Sequence, residues 1–144
     1  MILEDWKIKI SVLWLFIAVT MVANTMLYFL VPGVIDKIRA GEVLGFNFLQ
    51  VGHEILLIIA ITYFWIPLVI AVLSLTLKDK ANRWVNVILG IFYVGFILFE
   101  FIITTTTVTY PYGARWPYVI LMDTSAFVAA TLIVRYAWKS KQKA

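Results

Sequence analysis

Five side chains carry chemistry where their surroundings make it costly. They are Asn24, His53, Glu54, Glu100 and Asp123. Each sits inside a long apolar run. A charged side chain at the centre of a bilayer costs about 3 kcal/mol or more, so residues of this kind mark ion paths, proton relays or ligand sites by default. Carboxylates beside an imidazole can hold a cation, share a proton or act as an acid–base pair. Three carboxylates and one imidazole cannot all be charged together in a small apolar space. With His53 protonated, two negative charges would remain. A shared proton, a bound metal, an organic cation, or Arg115 folding in from a neighbouring loop would each answer that imbalance.

The elements that must position these residues follow from composition. The chain has 144 residues, of which 63% are hydrophobic and 14% charged. Soluble domains are nearer half apolar and a quarter charged, and disordered chains are poorer still in apolar residues. The apolar residues form four blocks, each long enough for the roughly 20 residues that cross a bilayer. The expected fold is all-α: a single-domain, four-helix transmembrane bundle spanning residues 1–144, with up-down topology. The spans are expected at about 8–31, 47–77, 84–109 and 116–138. The first run is too long for a signal-peptide core, and Glu4 and Asp5 dilute its basic flank, so it is expected to remain as a span. Pro117 suits the first turn of the fourth span. Pro67 should kink the second, with a neighbouring helix satisfying the freed carbonyl. Between the first two spans, Val34, Ile35 and Ile38 share one face and Asp36, Lys37 and Arg39 the other. That pattern predicts a short interfacial helix.

Orientation follows from Lys and Arg. Nine fall at the N-terminus, the second connection and the C-terminal end, against Lys37, Arg39 and Arg115 on the other side. Basic loops stay inside, so both termini are expected in the cytoplasm of a multi-pass cell-membrane protein. Trp6, Trp84 and Trp138 then mark the inner boundary; Tyr110, Tyr112, Trp116 and Tyr118 mark the outer one. Trp14 and Trp65 lie deeper and read as packing residues. The cations sit at the ends of apolar blocks, so the expected partner is the lipid bilayer, not nucleic acid.

This topology gives the five residues a common depth. Counted from the outer end of its span, each lies about 9–14 Å down at 1.5 Å per residue. Polar stripes lead from that layer outward: Thr20, Asn24 and Tyr28; Asn47, Gln50 and Glu54; Glu100, Thr104 and Thr107. The inner halves of the spans carry less polarity. The pattern predicts an outward-facing polar cavity closed below by apolar packing.

Three uses of the layer are open. The first is binding of a small ligand or cation, in which Glu54, Glu100 and Asp123 supply negative charge, His53 a titratable partner and Asn24 a neutral hydrogen bond. A single four-helix protomer has little room for alternating access, and residues 1–72 and 73–144 show no repeat, so transport or an accessory role in it would need a homo-oligomer. The second is a membrane acid–base enzyme of isomerase type acting on a lipid-like substrate. Nucleophile motifs, phosphate loops and cofactor fingerprints are missing, so no catalytic residue or cofactor is assigned. The third is a structural subunit with the layer as interhelical glue. Ferritin-like metal centres use paired Glu-x-x-His, which this sequence lacks, so no metal site is assigned. Absence of cysteine excludes disulfide, thiolate and Cys-ligated metal chemistry. Ala126 and Ala130 form a small-residue pair suited to close helix approach.

The stretch Leu77 to Gly90, with Lys9 to Phe16 and the ending Arg135-Tyr-Ala-Trp-Lys139, resembles a family of small prokaryotic four-helix integral membrane proteins of unknown function. The resemblance covers nearly the whole chain and implies the four-span fold, but no activity or site residue. The plan is more distantly similar to that of DoxX-like proteins.

Overall fold

The computed structural model describes residues 5–30, 33–43, 46–47, 58, 60–107 and 117–140. Helix α1 (Asp5–Phe29) is followed by the short α2 (Val34–Arg39), and strands β1 (Glu42–Val43) and β2 (Phe46–Asn47) pair antiparallel. Then come a π-helical turn (Ile61–Trp65), α3 (Ile66–Thr76), α4 (Asp79–Thr107) and α5 (Pro117–Lys139). The expected short helix is present, entered through Gly33 at a positive φ of 80°. Asn47 differs from expectation: it belongs to β2 opposite Glu42 and does not open a span. Backbone pairing of Glu42–Val43 with Phe46–Asn47 satisfies polar groups that a helix would otherwise have to satisfy.

Three helical segments are long and apolar enough to cross a membrane: Asp5–Leu27, Asp79–Ile102 and Ile120–Lys139. The shorter apolar helix Ile61–Thr76 packs against α1. The outer surface agrees with an apolar solvent. Val19 is 66% exposed, Val72 63% and Phe99 62%. Large aliphatic and aromatic residues point outward on every long helix, whereas a water-soluble bundle would present charge there.

Helix α5 packs closely on both α4 and α1. Its contact faces are built from small residues: Ala126, Ala129, Ala130 and Ala137 are almost wholly buried. Opposite them on α4 is Gly90, where an added Cβ would come within 2.7 Å of Val134 Cγ2. The missing side chain is what lets these two backbones approach. α1 and α4 meet mainly through long side chains: the rings of Trp14 and Tyr93 form an edge-to-face pair with centroids 5.0 Å apart.

The π-helical turn has a local cause. Ile66 N–H donates to Ile61 O, five residues back. The next bond of that series would run from residue 67 to Thr62 O, but Pro67 has no N–H to give. The carbonyl is satisfied from outside: the Tyr93 hydroxyl of α4 donates to Thr62 O. The expected disturbance at Pro67 is therefore a widened turn, with the freed carbonyl taken up by a neighbouring helix.

Candidate functional site

Three of the five sequence-predicted residues come together. Asn24 on α1 reaches Asp123 on α5, with Nδ2 at 3.5 Å from Oδ1, a long hydrogen bond. Asp123 is 2% exposed. Glu100 on α4 lies close enough to Asp123 for the two carboxyl groups to interact electrostatically. A fourth group, absent from the sequence prediction, completes the set: the buried Tyr63 of the π-helical turn brings its hydroxyl close enough to the Glu100 carboxyl to interact with it. Four segments thus contribute one polar side chain each. His53, Glu54, Gln50 and Arg115 lie outside the described residues, as do Tyr110, Tyr112, Trp116 and the side chains of Tyr28, Asn47, Thr104, Thr107 and Tyr118.

The set is incompletely paired. Glu100 Oε2 and Asp123 Oδ2 are both buried, and neither has a hydrogen-bond partner among the described residues. Buried polar atoms are almost always satisfied, so two open carboxyl oxygens in one place call for an explanation. A proton or a cation would supply the missing partner. No group of three or more His, Asp or Glu able to hold a metal occurs among the described residues.

Below this layer the expectation of purely apolar packing is corrected. First comes an aromatic and aliphatic plug made by Trp14, Ile17, Met21, Tyr93 and Ile97, all buried. Beneath the plug lies a second buried polar cluster, Ser74, Asn82 and Asn86, each 0% exposed. Asn86 Oδ1 accepts from Trp14 Nε1 at 2.6 Å and from Ser74 Oγ at 3.2 Å. Its Nδ2 donates to Asn82 O at 2.8 Å and to Asn82 Oδ1 at 2.5 Å. Asn82 Nδ2 donates in turn to Ser74 O at 2.6 Å, one of the last carbonyls of α3, which have no acceptor role within the helix itself. All four hydrogen-bonding positions of the Asn86 amide are filled. This cluster ties α1, α3 and α4 together and leaves nothing open for a ligand, in contrast to the acidic layer above it.

The two polar layers share one line on α4. Asn86, Tyr93 and Glu100 recur every seven residues, or about 10 Å, and all point inward. Near the same end as the amide cluster, Lys7 joins α1 to the turn before α4 by pairing with Asp79 and donating to Leu77 O at 3.3 Å. Trp65, expected to pack inside, is 65% exposed and points away from the bundle. The widened turn rotates it outward and leaves Thr62 and Tyr63 facing the core.

No protein-family model, curated protein or solved structure matches this chain.

Proposed function

We propose that this chain is a four-span membrane protein with both termini cytoplasmic, and that Glu100 and Asp123 hold a small, hard cation between its helices. The observation that carries this reading is the pair of buried carboxyl oxygens without partners, Glu100 Oε2 and Asp123 Oδ2. Carboxylate, amide and phenol oxygens suit hard cations and not soft ones. Asn24 bonds to Asp123 and the Tyr63 hydroxyl lies near Glu100, so each carboxyl group has one neutral polar neighbour. His53 and Glu54, at the same depth by residue counting, would extend the ligand set. The second span would lie between Asn47 and residue 77, starting after β2, as the resemblance to small four-helix membrane proteins implies.

The test is thermal unfolding of the purified protein in sodium, potassium or calcium chloride, with choline chloride holding ionic strength constant. A ligand at about 100 times its Kd stabilises by about 2.7 kcal/mol. One of the three cations should raise Tm for the wild type and fail to do so for Glu100→Gln and Asp123→Asn. A second reading, in which the layer is interhelical glue, draws on the Asn24–Asp123 and Tyr63–Glu100 pairs. It would be favoured if no cation moved the wild-type Tm and both variants lowered it.

A further inference from the structure

A cleft of about 570 Å³ runs along the outside of the bundle between α4 and α5. Its floor is apolar: Ile91 and Val94 from α4, Phe127 and Val134 from α5. Its mouth is not. Arg135 and Lys139 line one end, one turn apart on α5, with Trp138 between them. We infer that this cleft is a binding site for one anionic phospholipid, with an acyl chain laid along Phe127 to Val134 and the phosphate held by Arg135 and Lys139.

Three observations favour this occupant. The first is length. From Phe127 to Lys139 the cleft follows α5 for about 18 Å at 1.5 Å per residue. One leaflet of the hydrocarbon core is roughly 15 Å deep. The cleft therefore extends through one leaflet and reaches the headgroup level, as a phospholipid does.

The second is charge. Among the described residues, the acidic ones at this end are already engaged: Asp5 pairs with Lys9 at 2.5 Å, and Asp79 pairs with Lys7. Arg135 and Lys139 are exposed and have no acidic partner among the described residues. Arg presents a planar fork of donors that fits phosphate oxygens bidentately, and Lys adds a point charge. Basic pockets between transmembrane helices bind anionic headgroups in this way.

The third is the position of the mouth. Trp138 is 60% exposed and lies at the same end as Trp6 and Trp84. Tryptophan is enriched at headgroup level. The second outer cleft, between α1 and α5, provides a contrast. Leu13, Phe16, Leu121 and Val128 line it, and no cation is among the described residues of its lining. It has the apolar floor without the anion-binding mouth.

The experiment is native mass spectrometry of the detergent-solubilised protein titrated with phosphatidylglycerol or phosphatidylcholine of matched acyl chains. The wild type should retain one phosphatidylglycerol in preference to phosphatidylcholine. Arg135→Gln/Lys139→Gln should bind phosphatidylglycerol roughly thirty-fold more weakly, about five-fold per cation. Lys37→Gln/Arg39→Gln, which removes the same charge from α2, should bind like the wild type. Both double variants change exposed residues, and unchanged helical circular dichroism confirms that they are folded. Equal binding of the two lipids by the wild type would overturn the inference. So would undiminished phosphatidylglycerol binding by Arg135→Gln/Lys139→Gln, or equal loss in the α2 variant. A third variant, Val94→Trp, fills the floor without changing charge and should reduce binding as well. Retention of binding there would refute the acyl-chain placement.

Discussion

Tyr93 donates to a carbonyl that Pro67 leaves without a backbone partner. A buried group deprived of its partner costs about 1–3 kcal/mol, and interhelical hydrogen bonds in membranes average nearer 0.6 kcal/mol. Tyr93→Phe should therefore destabilise by about 1 kcal/mol in a thermal or denaturant titration. Pro67→Ala restores an N–H that can reach the preceding turn. In that background the cost of Tyr93→Phe should shrink, and a double-mutant cycle measures the coupling. Additive effects would mean that the hydroxyl's contribution does not depend on the carbonyl that Pro67 leaves free. At this scale Asn24, Glu100 and Asp123 are legible in the sequence as candidates, because polar atoms in apolar runs stand out and residue counting gives their depth. Tyr63 is not, because its ring looks like one more aromatic in the run Tyr63-Phe64-Trp65. Trp65 reads as interior, since residue type alone does not tell inward from outward within an apolar block.

The elements were legible in proportion to the sharpness of their ends. Pro117 opens α5, and the paired cations and Asp79 around residue 80 separate α3 from α4. The π-helical turn was hidden, since shifting a uniformly apolar helix by one residue leaves its composition unchanged. The amide cluster was hidden for another reason. Asn82 and Asn86 follow Lys78, Lys80 and Arg83, and polar residues at a basic helix end look solvated until α1 and α3 are placed over them. Close approach of α4 and α5 has its own test. Gly90→Ala puts a methyl group 2.7 Å from Val134 Cγ2, on a branched side chain with little freedom to move. Overpacking of this sort costs about 1–3 kcal/mol. Val134→Ala should recover part of that loss in the double variant, measured by the unfolding midpoint. A tolerated Gly90→Ala would mean that the helices can separate at little cost.

For the whole molecule, topology is the quantity with most at stake, because the proposed cation site would serve different physiology facing outward or inward. The chain has no cysteine, so single-cysteine variants report without background. Lys37→Cys should react with a membrane-impermeant maleimide in intact cells, and Lys80→Cys only after permeabilisation. The reverse pattern would invert the orientation. Each of these residues is exposed, so reactivity tracks the side of the membrane and not burial. The seven-residue line Asn86, Tyr93, Glu100 bears on motion. Its three side chains are held by three different kinds of partner: an amide cluster, a carbonyl in a widened turn, and a phenol beside an open carboxyl. Turning α4 about its own axis would break all three together, while tilting it would strain the ends and leave the middle intact. The helix is thus geared like a key with three teeth. A rotation of α4 that moved Glu100 would have to move Asn86 as well, two such intervals away, at the opposite end of the bundle.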